Sequence, residues 1–362
     1  MRLIVAGGGT GGHLFPGIAV ANAMRERIGS TKVLFIGTSR LLDQQALAGQ
    51  GFELAALECG GVKGLGMLAR LQTVMRMPGA VLEARRLLQR FRPDLVLGVG
   101  GYVTGPVLLA ARSLGVPIAI HEQNSVPGLA NRLAGKLADR VFISLPCTPE
   151  FPPAKTVRTG NPVRGEILAA AGTPRQERPV KTVLVLGGSQ GAHRVNLLML
   201  AAMEILRGQQ ATVELIHQTG TADEDMVRQG YVRIGAHAEV SAFIRDMARA
   251  YSRADLVVSR AGATTLAELT VMGLPALLIP YPYAADDHQT TNGLYYEKGH
   301  GCKVLQESSL SGEILAQTIS ECLHNPEELH KMSANMKTMA MPEATNQIVD
   351  ECLRLVAHQK RH

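Results

Sequence analysis

The sequence predicts an α/β protein made of two Rossmann-like, doubly wound domains separated by a cleft, and three observations carry that expectation. Its 362 residues suffice for two domains of ordinary size. Short apolar runs lead repeatedly into glycine clusters, the pattern of buried parallel strands that feed tight loops and then helices. The pattern G-G-[ST]-x-G occurs twice after such a run, in Gly8-Gly9-Thr10-Gly11-Gly12 and in Gly187-Gly188-Ser189-Gln190-Gly191, with His13 and His193 closing the two loops.

In chain order, Leu3 to Ala6 precedes Gly7 to His13, and Val33 to Ile36 runs into Gly37-Thr38-Ser39-Arg40. Leu95 to Val99 precedes Gly100-Gly101-Tyr102, and Val183 to Leu186 precedes the second glycine loop. Leu256 to Ser259 leads into Ala261-Gly262-Ala263-Thr264-Thr265 and a helical stretch closed by Gly273-Leu274-Pro275. The strand Ala276 to Ile279 follows. A proline-rich run and then Thr159-Gly160-Asn161-Pro162 mark the boundary, giving domains at 1–160 and 161–342, with a helix at about 343–358 that packs back on the first. The longest apolar stretch, Pro106 to Ile120, is broken by Arg112 and two prolines, so no segment is expected to span a bilayer. Met-Arg and four apolar residues are too short for a secretory signal, and the chain is expected in the cytoplasm.

Hydrophobic residues make up 46% and charged residues 19%, a balance that excludes disorder and fibres. The net charge of +6 is uneven: residues 1–160 hold 18 Lys and Arg against 9 Asp and Glu, and the remainder holds 19 against 22. The basic half points to an anionic partner. Aromatics at 4% and the absence of tryptophan leave few stacking platforms for nucleic acid, so lipid or phosphate is favoured. The cysteines at 59, 147, 302, 322 and 352 show no C-x-x-C spacing and read as buried, reduced thiols.

Gly7, Gly9 and Gly12 also satisfy G-x-G-x-x-G, which brings an NADP-dependent oxidoreductase into view. The acidic ribose partner after the second strand is missing, and Arg40 keeps only the NADP form open. Glycine loops at two helix N-termini, presenting backbone N–H groups and positive dipole ends, suit a diphosphate on each half better. No Walker lysine follows them, which disfavours phosphoryl transfer from ATP. His13 has the chemistry of a general base or of a helix-start residue bonded to backbone, while His193 reads as structural. Asp223-Glu224-Asp225 reads as a solvated acidic turn, and Asp286-Asp287-His288 suits metal or sugar. A non-catalytic lipid-diphosphate or nucleotide-sugar binding module stays open beside the enzymes.

Taken together and in order, Gly8 to His13 with Phe15-Pro16-Gly17, Gly100 to Pro106, His121-Glu122-Gln123-Asn124, Gly160 to Arg164, Gly187 to Ala192, and Ser259 to Thr265 with Glu268 resemble the MurG family of glycosyltransferases. The resemblance covers essentially the whole chain. It implies the GT-B architecture and an inverting hexosyltransferase that moves N-acetylglucosamine from UDP-N-acetylglucosamine to undecaprenyl-linked lipid I, giving lipid II. That is peptidoglycan synthesis, and with it cell-wall biogenesis, cell shape and cell division, performed peripherally at the cytoplasmic face of the bacterial inner membrane. It leaves room for other cell-wall synthesis proteins as partners, and implies no nucleic acid.

By motif, the resemblance makes His13 the catalytic base. It assigns the donor to Thr10, Gly11, Gly12, Asn124, Arg164, Ser189, Ile244, Ala263, Thr264, Thr265, Leu266, Ala267, Glu268, Gln289 and Asn292. Within that set Ser189 and the Ala263–Thr265 turn hold the diphosphate, Glu268 the ribose, the Ile244 backbone the uracil, and Gln289 and Asn292 the sugar. The acceptor diphosphate falls to Gly11, Gly12, Gly100, Gly101 and Tyr102. No cofactor or metal is required, and a divalent cation is at most a stimulant.

Between Lys63 and Arg92 seven basic residues face a single acid, Glu83, and interleave with apolar ones. Leu65, Leu68, Leu71 and Met75, with Arg70 and Arg76, are the expected patch for an anionic phospholipid surface, on a helical face bracketed by Gly64, Gly66 and Pro78-Gly79.

Overall fold

The structure is a computed structural model. It describes residues 1–39, 41–57, 67–173, 180–188, 191–209 and 212–359, and at 41, 42, 45 and 67–76 the backbone alone. Two compact units result, one of residues 1–164 with 342–362 and one of residues 165–341. The division falls after Arg164 rather than after Gly160: the N–H groups of Thr159 and Gly160 donate to the Ile143 carbonyl, and beyond them the Arg164 guanidinium still reaches the Phe15 ring of the first unit.

The chain runs β1 (Arg2–Gly7), α1 (Gly11–Arg27), β2 (Lys32–Gly37), α2 (Leu41–Leu47), β3 (Glu53–Ala56), α3 (Met67–Phe91), β4 (Leu95–Gly100), α4 (Thr104–Ser113), β5 (Ile118–Glu122), α5 (Leu129–Leu137), β6 (Arg140–Ile143) and β7 (Thr156–Arg158). The second unit continues with α6 (Gly165–Ala171), β8 (Lys181–Leu186), α7 (His193–Gly208), β9 (Val213–Gln218), α8 (Glu224–Ile234), β10 (His237–Ser241), α9 (Met247–Arg253), β11 (Leu256–Ser259), α10 (Ala263–Met272), β12 (Ala276–Leu278), α11 (His288–Glu297), β13 (Cys302–Val304), α12 (Gly312–Leu323) and α13 (Pro326–Thr338). α14 (Ala344–Gln359) then packs against α1.

Both sheets are parallel throughout, ordered β3-β2-β1-β4-β5-β6-β7 and β10-β9-β8-β11-β12-β13. Alternate residues of each strand face opposite layers. Ile4, Ala6 and Val96 pack with Leu88, Val107 and Leu108 on one side of the first sheet. Leu3, Val5 and Leu97 pack with Leu14, Ile18 and Phe35 on the other, where Ile348, Val349 and Cys352 of α14 complete the layer. Parallel strands covered on both faces read as continuous apolar runs, which is why they stood out in the sequence. Cys147, Cys302, Cys322 and Cys352 are buried, and burial pushes the Cys147 and Cys302 thiols up to about 12, far from the reactive thiolate. Cys59 lies outside the described residues.

One expectation is corrected here. Pro78-Gly79 does not close the basic helix; α3 runs through Pro78 to Phe91 and stops where Arg92 turns left-handed at φ +53°. An internal proline costs roughly 3 kcal/mol. Ala80, Ala84 and Leu88, on one face of the second half, are buried, and burying a leucine alone returns about 2 kcal/mol. With the two alanines added, the burial outweighs the cost of the proline. Leu65 and the side chains of Leu68, Arg70, Leu71, Met75 and Arg76 lie outside the described residues.

Strand order reverses between β1 and β4 in the first unit and between β8 and β11 in the second. Open α/β sheets bind ligands at such switch points, beyond the carboxyl ends of the strands. The loops after these four strands are the ones the sequence singled out.

Candidate active site

In the first unit the turns after β1 and β4 interlock. A β-carbon on Gly100, at φ +102°, would stand 2.8 Å from His13 Cδ2, and one on Gly101, at φ +90°, would stand 2.7 Å from the Gly8 carbonyl oxygen. Neither the dihedral nor the space admits a side chain. The buried Thr104 hydroxyl ties the turns again by donating to the Ala6 carbonyl at 3.1 Å. Tyr102, half-exposed, follows them.

His13 sits in the first turn of α1. Its N–H donates to the Thr10 carbonyl at 3.3 Å, and Nδ1 lies 3.1 Å from Thr10 Oγ1. α1 starts without a side-chain cap or an acid in its first turn, so the positive helix end at Gly11 and Gly12 keeps its pull on an anion. α4, α7 and α10, after the other singled-out loops, begin without a side-chain cap too, as do α5, α8 and α11, whereas α9, α12 and α13 are capped by Asp246, Ser311 and Asn325. Arg164 lies beside this loop, its guanidinium 4.9 Å from the centre of the Phe15 ring.

β5 ends in two buried titratable groups. His121 takes a hydrogen bond at Nδ1 from Gln123 Nε2 (3.2 Å), which leaves Nε2–H to face the Gly160 carbonyl (3.2 Å) and Ser144 Oγ (3.1 Å). Burial, with His13 nearby, lowers its pKa to about 4, so the ring is neutral. The Glu122 carboxylate accepts from the N–H and side-chain amide of Asn124 and from Gly128 N–H and Asn131 Nδ2. Burial raises its pKa, with those hydrogen bonds opposing. Asn124 is thereby held in the β5–α5 loop.

In the second unit Ser189 and Gln190 lie outside the described residues, as Arg40 does in the first. Around them, Gln218 at the end of β9 donates Nε2–H to the Gly188 carbonyl (2.9 Å) and accepts at Oε1 from Ile244 N–H (2.9 Å). The backbone group expected to read uracil is thus gripped by the side chain that also shapes the glycine loop. Phe243 beside it is 46% exposed, an aromatic face the sequence reading passed over.

Ala263, Thr264 and Thr265 form the first turn of α10, and Leu266 and Ala267 its buried continuation. Glu268 follows, nearly buried, accepting from Tyr251 Oη at 2.8 Å. Behind the turn Arg260 pairs with Glu307 at 2.5 Å and donates to the Ile279 and Pro280 carbonyls at 3.1 Å. Gln289 Oε1 accepts from Tyr281 N–H at 3.0 Å. Asn292 is fully buried and its amide reaches the Ala261 carbonyl at 3.4 Å, so it braces the loop ahead of α10 rather than standing at the surface.

Asp286 and Asp287, at φ +55° and +50°, are consecutive left-handed residues, a local strain of order 1–3 kcal/mol each. Among the described residues no three His, Cys, Asp or Glu side chains converge to hold a metal. The acidic turn is corrected: Asp223 is not solvated but turned onto α7, accepting from Asn196 Nδ2 (2.8 Å) and lying 3.0 Å from His193 Nδ1. Asn196 Oδ1 in turn takes the buried His217 Nε2–H at 3.0 Å.

His13, Gly100, Gly101 and Tyr102 follow the switch-point strands β1 and β4, and Ala263 to Thr265 follow β11, whereas Asn124, Ile244 and Gln289 follow β5, β10 and β12. Asp43, Gln218 and Arg260 are additions from the structure: each reaches a loop from a neighbouring element, and no local motif announces such a reach. Asp43, fully buried on α2, accepts from Gly9 N–H (2.8 Å), Thr38 N–H (2.9 Å) and Thr38 Oγ1 (2.7 Å).

Residues 3–143 match the glycosyltransferase family 28 N-terminal domain, and residues 182–348 match the glycosyltransferase family 28 C-terminal domain. A protein of Desulfotalea psychrophila named UDP-N-acetylglucosamine--N-acetylmuramyl-(pentapeptide) pyrophosphoryl-undecaprenol N-acetylglucosamine transferase is 46% identical, over 98% of this chain and 97% of its own. The transferase of the same name from Geobacter sulfurreducens is 44% identical, over 97% and 98%. The crystal structure of Acinetobacter baumannii MurG is 31% identical with a TM-score of 0.77, covering 98% of this chain and 99% of that one. A UDP-GlcNAc 2-epimerase from Neisseria meningitidis shares the fold at 15% identity and a TM-score of 0.69, covering 98% of this chain and 100% of that one. With both domains matched in order and relatives similar from end to end, the chain belongs to glycosyltransferase family 28 and, within it, to the MurG family of N-acetylglucosamine transferases.

Proposed function

We propose that the chain moves N-acetylglucosamine from UDP-N-acetylglucosamine to the 4-hydroxyl of N-acetylmuramoyl-pentapeptide diphosphoryl-undecaprenol, turning lipid I into lipid II in peptidoglycan synthesis. The end-to-end similarity to transferases of that name carries the reading. Glycine loops followed by helix starts at both switch points support it. The oxidoreductase and binding-module readings gain no support from the relatives.

The reaction is a single inverting displacement. The acceptor oxygen attacks the anomeric carbon, the bond from that carbon to the UDP β-phosphate oxygen breaks with its electron pair leaving on UDP, and the hydroxyl proton passes to His13. For Nε2 to take that proton, Nδ1–H donates to Thr10 Oγ1, a role the 3.1 Å contact permits. The donor diphosphate is assigned to the starts of α7 and α10, the ribose to Glu268, the uracil to the Ile244 segment with Phe243, and the sugar to Gln289, with Asn124 and Arg164 as further donor contacts. Asn292 serves by bracing Ala261. Gly11, Gly12, Gly100, Gly101 and Tyr102 are assigned to the acceptor diphosphate. Helix ends and Arg164 supply positive charge for the departure of UDP, so no metal is assigned a role, and magnesium is at most a stimulant.

The first unit is assigned to the cytoplasmic face of the inner membrane. The basic balance of residues 1–160 supports this, as do Leu82 on α3 and Leu109 on α4, exposed at 58% and 42% on packed helices that also carry Arg85, Arg86 and Arg112. No helix among the described residues is long and apolar enough to cross a membrane. Transfer of radiolabel from UDP-N-acetylglucosamine to a lipid I analogue tests the reaction; nucleotide-sugar binding without transfer would leave only a binding module. Co-sedimentation with anionic vesicles tests the surface, and equal binding by wild type and a folded Leu82→Ser, Leu109→Ser variant would remove it.

A further inference from the structure

We propose that Asp43 is a positioning residue for the proton-accepting histidine, acting through the first glycine loop; the proposal rests on the reading of His13 given above. A run of glycines cannot hold its own shape. Each loses more conformational freedom on ordering than any other residue and brings no side chain to pack, so an external anchor must supply the order. Here the anchor is one carboxylate. Two backbone N–H groups and a hydroxyl, drawn from the turns after β1 and β2, converge on it, and it is fully buried. A β-carbon on Gly8 would overlap Oδ2, and one on Gly37 would stand 3.2 Å from it, so the group is wedged between the ends of the two strands.

From this anchor a short chain of contacts leads to the imidazole. Gly9, whose N–H the carboxylate holds, is left-handed at φ +84° and is bonded covalently to Thr10. The Thr10 carbonyl accepts from His13 N–H and from Leu14 N–H at 3.2 Å, and its hydroxyl meets His13 Nδ1. The Gly100 turn also lies against the ring, where a β-carbon would stand 2.8 Å from Cδ2. A shift of Gly9 therefore carries Thr10, the start of α1 and the imidazole with it. Three converging donors need an acceptor with lone pairs on both oxygens. A carboxylate has them, whereas an amide would turn an N–H donor against Gly9 or Thr38.

The test is Asp43→Asn, read by turnover, by calorimetric donor binding and by the 15N resonances of the His13 ring. Turnover should fall about ten- to hundred-fold, as expected for a misplaced reacting group, with donor affinity unchanged and the His13 resonances shifted. Asp43→Asn combined with His13→Ala should be no slower than His13→Ala alone. Thr38→Val, which loses only the hydroxyl bond and leaves the buried charge in place, should move the same resonances less and in the same direction; it carries the test if Asp43→Asn fails to fold. Unmoved His13 resonances in both variants, or losses that multiply in the double variant, overturn the proposal. If His13→Ala alone keeps normal turnover, the base reading fails, and the resonance shift still reports whether Asp43 sets the ring.

Discussion

The two units share strand order and loop type yet grip their glycine loops in opposite ways. In the first, a buried anion accepts the Gly9 N–H; in the second, a neutral amide, Gln218, donates to the Gly188 carbonyl. Both loops spend N–H groups within the fold, Gly9 on Asp43 in the first and Gly187 and Gly191 on the Gln218 and Gly188 carbonyls in the second, so the contrast is one of charge: only the first carries a carboxylate behind it. The second arrangement suits strong binding of a nucleotide diphosphate, and the first suits fixing the shape of a turn that presents a base. Under the proposed assignments the second loop takes the donor diphosphate, and the first combines the acceptor diphosphate with the placement of His13.

His13→Ala breaks the contrast most directly. It should lower turnover by about 10² to 10⁴-fold, the contribution of a positioned general base, while calorimetry shows unchanged affinity for UDP-N-acetylglucosamine. Loss of donor affinity equal to the loss of turnover would place His13 in the donor site instead.

Acid should separate the units next. His121 in the first and His217 in the second are buried and neutral, lowered mainly by desolvation to about 4 and about 3. The unfolded chain takes up both protons near pH 6.5. Stability is therefore whole above that pH and is lost as pH falls through the window down to each folded value, by about 3 to 5 kcal/mol per histidine at the limit. Glu122 has the opposite sign. Its carboxyl, raised by burial, favours the folded state more as pH falls, so it offsets part of the loss in the first unit. Hydrogen exchange across the chain between about pH 7 and pH 4 should show residues 165–341 loosening more. Equal loosening of both units would mean that the buried histidines do not set the difference.

Gln218→Glu sharpens the comparison with the smallest effect. It sets a carboxylate against the Gly188 carbonyl and gives the second loop the charge that the first one has. Binding of UDP should weaken by about tenfold, roughly the worth of one hydrogen bond, with the fold retained. Unchanged binding would show that the grip on the loop does not govern its anion affinity.

Much of this was legible in the sequence. Leu256–Ser259 coincides with β11, and the other runs lie within a residue or two of β1, β4, β8 and β12, because strands buried on both faces leave an unbroken apolar signature. The glycine turns showed for the same reason, as departures from that signature. Asp43 did not show: in sequence it is one acid in the first turn of a short helix, and only the fold brings the Gly9 and Thr38 N–H groups to it. Asp223 misled, since three consecutive polar residues give no hint that one turns inward to Asn196. Pro78 misled because its local cost is visible in sequence, while the burial of Ala84 and Leu88 that outweighs it is a property of packing.

The return of α14 to the first unit reaches back to how the protein is made. Ile348, Val349 and Cys352 complete the layer around Leu3, Val5 and Ile18, so the half translated first lacks part of its interior until these residues have been made. At bacterial ribosome speeds, the intervening residues 165–341 take on the order of ten to thirty seconds to synthesise. Throughout that interval the part of α1 that α14 covers in the finished fold has no partner helix to bury it.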